Sequence, residues 1–330
     1  MNSTAHVKSA DTETALHTLG SLYKAAGDPL RLDILRVLQR DTFGVMELCR
    51  LFNMRQSGMS HHLKVLTQAG LLEPQREGNA TFYRRPLLRV GDEPRYTAVR
   101  SVFEAVDQIQ LTEELLDRIR TIRRQRSEQS QVFFARYARH FREQQELIAN
   151  HQRYAQPVAE LVHRRYACDG SGNALEIGPG EGPFLPVLAN CFGEVVAVDN
   201  VQAMLDRAGQ FCEQQELTNV RLVHGECPDV IERGETFNLV VANMVLHHVA
   251  SPANIFRDSA QLLKPGGRMI VSELCRHEQS WVRDNCGDIW QGFEPEELTG
   301  WAEDAGLKQG ETLFIGLRNG FQIQVREFTG

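Results

Sequence analysis

The residues best suited to chemistry begin at Ala174, in the run Ala174-Leu175-Glu176-Ile177-Gly178-Pro179-Gly180-Glu181-Gly182-Pro183-Phe184. Its apolar lead predicts a short strand, followed by a glycine-rich turn and a helix. Missing Cβ atoms in such a turn let a backbone approach a ligand closely. The order acidic-x-G-x-G-x-G differs from G-x-G-x-x-G, and by itself it does not separate nucleotide classes. The downstream strands narrow the chemistry. Val195–Val198 predicts a second strand ending at Asp199, 23 residues beyond Glu176, where a carboxylate can accept both hydroxyls of a ribose diol. Capping of a helix that starts near Val201 is the structural alternative for Asp199. A third strand, Val220–His224, ends at Gly225-Glu226, and a fourth, Leu239–Ala242, ends at Asn243. Polar groups at the C-terminal ends of successive parallel strands mark the place where α/β folds bind ligands.

A second group of polar residues lies far upstream. Gln56 opens a predicted helix that stops at Gly70, and within it Ser57, Ser60, His61, Lys64 and Gln68 fall on one stripe, opposite Met59, Leu63 and Leu66. Hydroxyl, amide and imidazole groups on such a stripe can reach base edges, and Lys64 can reach phosphate. A solvated helix face has the same pattern. The segment Arg76-Glu77-Gly78-Asn79-Ala80-Thr81-Phe82-Tyr83-Arg84-Arg85 then predicts strand, Gly-Asn turn and strand, a basic hairpin that reads as a wing.

Several elements must position these groups. Leu19, Leu22, Tyr23 and Ala26 recur at helical spacing, Asp28 can cap and Pro29 open a second helix through Leu38, and Val45–Phe52 predicts a short third helix. Residues 97–165 are rich in Gln, Arg, Glu and Leu and predict long helices; the five arginines of Arg118–Arg126 suit a solvated face or phosphate contact. After the fourth strand, Leu262-Leu263-Lys264-Pro265-Gly266-Gly267 turns into a fifth, Met269–Ser272. Thr312–Leu317 and Phe321–Val325, on either side of Arg318-Asn319-Gly320, predict an antiparallel hairpin added to the sheet.

Composition sets the frame. The 330 residues are 42% hydrophobic, which suits about two packed domains and excludes wholesale disorder. The net charge of −7 is unevenly distributed: residues 1–95 hold 13 Lys and Arg against 10 Asp and Glu, and the remainder 23 against 33. The nucleic-acid candidate therefore sits at the basic end. Seven cysteines occur without a CxxC pair, so no disulfide framework or zinc knuckle is expected and a reducing, cytoplasmic setting fits. No apolar run reaches the ~20 residues of a membrane span, and no membrane partner is expected.

Gly27-Asp28-Pro29-Leu30-Arg31 and Gln56-Ser57-Gly58-Met59-Ser60-His61-His62-Leu63-Lys64-Val65-Leu66 through Ala69-Gly70-Leu71-Leu72 closely resemble the arsenic-repressor (ArsR) family of winged-helix regulators, over about residues 14–90. That resemblance implies a homodimer through helices flanking the wing domain, with residues 14–26 and 97–120 as candidates. Two recognition helices would then meet a near-palindromic double-stranded operator at sites one DNA turn apart. Gln56, Ser57, Ser60, His61, Lys64, Arg76, Arg84 and Arg85 are the implied DNA contacts. The family's metal sensors need a Cys-x-Cys pair on the third helix or His and carboxylate ligands on the dimer helix. Here Cys49 stands alone and residues 97–127 contain no His, so no metal is expected.

With Val245-Leu246-His247-His248-Val249 and the Leu-Lys-Pro-Gly-Gly turn in register, residues 150–330 resemble class I S-adenosylmethionine-dependent methyltransferases. That implies an α/β chain overall, with an N-terminal, mainly α winged helix-turn-helix over 1–96 and a helical dimerisation or linker region over 97–149. A Rossmann-like parallel sheet with an antiparallel C-terminal hairpin would occupy 150–330. By the resemblance, Glu176 and the turn Gly178, Gly180 and Gly182 face the methionine part, Asp199 the ribose and Glu226 the adenine amino group. Asn243 lies at the amino-acid end, and Asn200 and Cys227 adjoin the set. Asn238 stands where the family commonly has Asp. His247 and His248 are expected to line the pocket rather than act as bases, no catalytic residue is assigned, and Cys275, His277, Trp281 and Trp290 fall in the acceptor region or simply pack.

The joined architecture resembles S-adenosylhomocysteine-responsive regulators of the methionine cycle. It implies a repressor whose methyltransferase-like domain takes S-adenosylhomocysteine or S-adenosylmethionine as effector, with S-adenosylhomocysteine releasing it from DNA. The competing expectation is an active small-molecule methyltransferase carrying a DNA-binding domain. A nucleic-acid methyltransferase is a third, and Asn243-Met244-Val245-Leu246 lacks the base-flipping motif it would need.

Overall fold

A computed structural model describes residues 3–77, 80–87, 93–137, 146–279 and 281–330, with the side chains of 3–12, 283 and 284 left aside. The chain divides into two compact units, Met1–Arg123 and Arg124–Gly330. The division falls inside one helix of the expected connector.

In the first unit, α1 (Ser3–Ala26) and α2 (Pro29–Val37) are separated by a capped break: Asp28 Oδ1 accepts from Arg31 N at 3.0 Å, and Pro29 occupies the first turn, where its missing N–H costs nothing. α3 (Val45–Leu51) and α4 (Gln56–Gln68) flank a turn in which Asn53 takes φ +50°, a conformation its short side chain tolerates. Gly70, at φ +73°, ends α4 as its position predicts. Strands β2 (Glu73–Glu77) and β3 (Ala80–Arg84) pair antiparallel with Glu77 opposite Ala80, and β1 (Phe43–Gly44) completes a three-stranded sheet in the order β1-β3-β2. The expected Gly78-Asn79 turn lies outside the described residues. α5 (Pro94–Asp107) comes next, then α6 (Glu113–Tyr137), the helix that crosses from one unit to the next. Leu22, Ile34, Leu35, Leu48, Met59, Leu63, Leu66 and Phe103 form this unit's core.

The second unit is built on a seven-stranded sheet of order β6-β5-β4-β7-β8-β10-β9. The strands are β4 (Asn173–Ile177), β5 (Glu194–Asp199), β6 (Val220–His224), β7 (Phe237–Asn243), β8 (Leu263–Leu274), β9 (Lys308–Gly316) and β10 (Gln322–Thr329). β4 to β8 pair in parallel, and β10 runs antiparallel to both β8 and β9. The strand order reverses at β4, so a crevice opens outside the carboxyl ends of β4 and its neighbours, where β4 ends just before Gly178 and β7 ends at Asn243. Helices cover the sheet, among them His151–Arg165, Leu185–Cys191, Gln202–Gln214 and Pro252–Leu262. β4, β5 and β7 are buried almost throughout, as central parallel strands must be.

One expectation about the cysteines needs correction. Cys168 and Cys191 are joined by a disulfide, which the isolated positions of the cysteines give no reason to expect. Asn238, where the resembled family carries Asp, accepts from Asn173 N and Lys264 Nζ at 3.1 Å each, tying the bottoms of β4 and β7 to the Leu-Lys-Pro-Gly-Gly turn with a neutral amide.

Candidate functional site

In the first unit, α4 presents Gln56, Ser57, Ser60, His61, Lys64 and Gln68 to solvent and buries Met59, Leu63 and Leu66. The arithmetic of 3.6 residues per turn separates the two faces. Arg76 is exposed on β2; Arg84 is only 18% exposed along its side chain and lies 3.4 Å from Glu73. Arg85 does not join the exposed face. Its guanidinium pairs with both oxygens of Asp107, donates to the Leu35 carbonyl and stacks over Phe103. A cation so placed fastens α5 to the body of the unit, a role apart from the DNA contact expected of it. The arginines of Arg118–Arg126 are likewise engaged within their own units. Arg118 donates to the Leu51 carbonyl, Arg123 pairs with Asp41, and Arg126 donates to the Ala250 carbonyl and lies over Trp290. Arg120 and Arg124 form exposed helical pairs with Asp117 and Glu128.

In the second unit, the predicted residues converge at the C-terminal ends of β4, β5, β6 and β7. Glu176 is 2% exposed, and burial pushes its carboxyl up to about 8 against the opposing influence of the neighbouring Asn243 amide. The Asn243 side-chain amide is the hydrogen-bonding neighbour that works against burial at Glu176, and both groups are withdrawn from water. Ser272 Oγ donates to Asn243 Oδ1 at 2.9 Å, which fixes the amide with its donor end toward Glu176. A buried carboxyl beside a buried amide N–H offers an acceptor and a donor of the kind that the ammonium and carboxylate of an amino-acid ligand use. Asp199 is raised to about 6, mainly by burial, with the Val201 N–H and His224 working the other way. Val201 N donates to Asp199 Oδ1 at 2.8 Å, so the residue also anchors the entry to the following helix.

Beyond Asp199, Asn200 Nδ2 donates to Glu226 Oε1 at 2.8 Å, and Ser127 Oγ donates to the same oxygen at 2.8 Å. Cys227 is buried at the start of the helix Cys227–Glu232, directly after the capping Glu226. Gly178 has φ +63°, and a Cβ there would stand 2.4 Å from Val245 Cγ2. That glycine is required by the close packing of the loop after β7 as well as by the turn itself.

Sequence reasoning missed part of the surroundings. Ser127, Ser130 and Phe134 come from α6: Ser130 Oγ donates to the His248 carbonyl, and the Phe134 ring meets the His248 imidazole edge-on, with centroids 4.7 Å apart. No motif surrounds these residues, and only their period on a helix hints at a shared face. Glu273, on β8, accepts from His247 Nδ1 at 2.6 Å. Burial opposes charge on His247, yet the carboxylates of Glu273 and Asp288 outweigh it and push the imidazole up to about 9. Burial and the charge on His247 drive His248 far the other way. Tyr154, Met244, His247, His248, Cys286 and Asp288 line a small cavity beside this pair. Of the acceptor-region candidates, Trp290 is buried with its Nε1 donating to the Val249 carbonyl, and Cys275 is buried too. His277 packs its ring against Phe321 and Trp281 donates to Gln279.

Comparison with known proteins shows the same division. The family model described as "Methyltransferase domain" matches residues 138–309, and one described as "Helix-turn-helix domain" matches residues 26–75. The chain is similar to the ubiquinone biosynthesis O-methyltransferase of Coxiella burnetii (strain Dugway 5J108-111), 28% identical over 152 residues, with 41% of this chain and 63% of that protein covered. It is 31% identical over 147 residues to the protein of the same description from Ruegeria pomeroyi, covering 41% and 59%. The chain thus spans less than two thirds of either relative. Among solved structures, the N-methyltransferase NodS from Bradyrhizobium japonicum WM9 in complex with S-adenosyl-l-homocysteine is 18% identical, covering 58% of this chain and 97% of that one, with a TM-score of 0.43. Among the described residues, no helix is long and apolar enough to cross a membrane.

Proposed function

Because the chain belongs to the methyltransferase-domain family and carries a helix-turn-helix domain ahead of it, we propose that it is a DNA-binding transcriptional regulator whose methyltransferase-like unit takes S-adenosylhomocysteine or S-adenosylmethionine as effector. The observation that carries the reading is the pairing, in one chain, of an exposed polar face on α4 with a crevice in which the Glu176 carboxyl and the Asn243 amide are buried side by side at the strand ends. Glu176 and Asn243 would hold the amino-acid end, Asp199 the ribose hydroxyls, and Asn200 and Glu226 the adenine side, with the Cys227 backbone beside them. Gln56, Ser57, Ser60, His61, Lys64 and Arg76 would meet DNA as a homodimer on a near-palindromic operator, and Arg84 would join them if it leaves Glu73. Coupling of ~1–3 kcal/mol between the two sites would change operator affinity about 5–150-fold. Repression of methionine-cycle genes, relieved by S-adenosylhomocysteine in the cytoplasm, is the biological form of this reading.

Titration with each adenosyl ligand, and then operator binding at saturation, tests it. A ligand that binds yet leaves operator affinity unchanged ends the effector role.

A small-molecule methyltransferase is the second reading, supported by the descriptions of the relatives and by the buried imidazole pair beside the crevice. A bound methyl donor would supply an already electrophilic carbon, so this chain would mainly align the acceptor and exclude water. His247, held by Glu273, is the residue placed to hold or pass a proton on that side. Transfer of labelled methyl groups to a defined acceptor at ordinary turnover would favour this reading over an effector-only role.

A further inference from the structure

We propose that His247, His248 and Asp288 form a binding site for one divalent cation of the zinc or ferrous class, open toward the small cavity lined by Tyr154, Met244 and Cys286. The three residues each offer a ligand atom, and these atoms all lie within 4.8 Å of one another. All three side chains are nine-tenths or more buried, at 2%, 8% and 2% exposure.

Hydrogen bonding leaves the donor atoms arranged for a cation. His247 Nδ1 is committed to Glu273 Oε1 at 2.6 Å, which leaves Nε2 as the nitrogen this imidazole has to offer. A carboxylate behind a histidine in this way fixes the ring and raises its basicity as a ligand. His248 bonds to the backbone of Gly287, and its Nδ1 is buried without a hydrogen-bond partner. That nitrogen stands 3.6 Å from Asp288 Oδ1. The separation is too long for a hydrogen bond. It is close to the ~3.4 Å that two ligands keep when they share a tetrahedral ion at bond lengths of about 2.0–2.2 Å. An imidazole nitrogen and a carboxylate oxygen at this separation can both reach one cation placed between them.

The backbone already holds the two segments together. Ile289 N and Trp290 N both donate to the His247 carbonyl, at 2.9 and 3.1 Å, so the loop carrying Asp288 is clamped to the histidine turn independently of any ion. The cavity has room for little more than one water-sized body. An ion with one water or one small donor fits that space; a large acceptor does not. Two imidazoles with one carboxylate select borderline ions over magnesium and calcium, which prefer all-oxygen sites. The site is distinct from the metal positions of the resembled winged-helix sensors and does not depend on the effector reading. Two histidines adjacent in sequence with an aspartate 40 residues on make no recognisable metal-ligand spacing.

The test uses the full-length chain, stripped with a chelator and titrated with Zn²⁺ by calorimetry and with Co²⁺ by visible absorption. Cys49→Ser and Cys168→Ser/Cys191→Ser are included so that neither the Cys49 thiol nor a reduced Cys168 and Cys191 pair beside His163 can account for the signal. One equivalent of Zn²⁺ bound at micromolar or tighter affinity, retained in the cysteine variants and weakened at least tenfold in His248→Gln and in Asp288→Asn, supports the site. Absence of saturable binding, or unchanged affinity in both site variants, overturns it. Should those variants fail to fold, histidine side-chain ¹⁵N spectra of the unaltered chain decide. Zn²⁺ must shift the resonances of His247 and His248, and unshifted resonances overturn the proposal. Adenosyl-ligand titration of the same stripped protein keeps this outcome separate from that of the proposed effector role.

Discussion

The two candidate sites are built on opposite physical terms. The α4 face is a stripe of exposed polar groups over an apolar ridge, and water solvates it at no cost when nothing is bound. The crevice of the second unit holds carboxyl groups withdrawn from water, with Glu176 raised to about 8 and Asp199 to about 6 by burial. A solvated face can be altered residue by residue with modest, local effects. A desolvated one concentrates its energy in a few groups whose loss is felt in full.

The largest expected effect therefore lies in the crevice. Asp199→Ala should weaken S-adenosylhomocysteine binding by about 100-fold, since hydrogen bonds to charged groups contribute about 1.5–3 kcal/mol. Calorimetric titration reads this, and an unchanged affinity removes Asp199 from the ribose role. Arg85→Ala comes next, and its effect belongs to folding: loss of the guanidinium strands Asp107 and uncovers Phe103, destabilising the first unit by about 2–3 kcal/mol in a denaturant melt. If the variant keeps full stability and loses only DNA affinity, the arginine belongs to the binding face after all.

On that face, Ser60→Ala/His61→Ala should lower operator preference by about 10–30-fold, equivalent to ~1.5–2 kcal/mol, while ligand affinity stays unchanged. Retained selectivity in competition gel shifts would show that a different surface reads the bases. The smallest effect is a pH dependence peculiar to the crevice. Glu176, with its carboxyl near 8, is protonated at neutral pH in the ligand-free protein, and a ligand ammonium favours the ionised form. Affinity for S-adenosylhomocysteine should thus rise about fivefold between pH 7 and 8 and level off at about tenfold above pH 9, with proton release on binding at pH 7. For stability the sign is opposite: a raised carboxyl pKa contributes stability at low pH that is lost as pH rises through about 8. Glu176→Gln should remove both trends, and persistence of the binding trend would place the titrating group elsewhere.

Much of this organisation was legible in the order of residues. Val220–His224 matches β6 end for end, and the Asp28 cap, the α4 faces and the final hairpin obey local rules of turns, caps and periodicity. Glu176, Asp199, Glu226 and Asn243 could be placed at one edge of the sheet because the C-terminal ends of parallel strands share that edge. The pairing of Arg85 with Asp107, 22 residues away, was not legible, because a cation's position in sequence does not reveal its counter-ion. The Cys168–Cys191 disulfide, Ser127 beside Glu226 and the meeting of Asp288 with the histidine pair were equally out of reach.

By itself, the order of residues determined which segments become helices and strands, which faces turn inward and which strand ends carry polar groups, because these depend on steric preferences and periodicities that act over a few residues. Only the folded chain decided which charges lose water, which carboxylate holds which imidazole and where an aspartate meets a histidine pair. Desolvation and pairing depend on neighbours brought together from distant positions, and no local rule contains them.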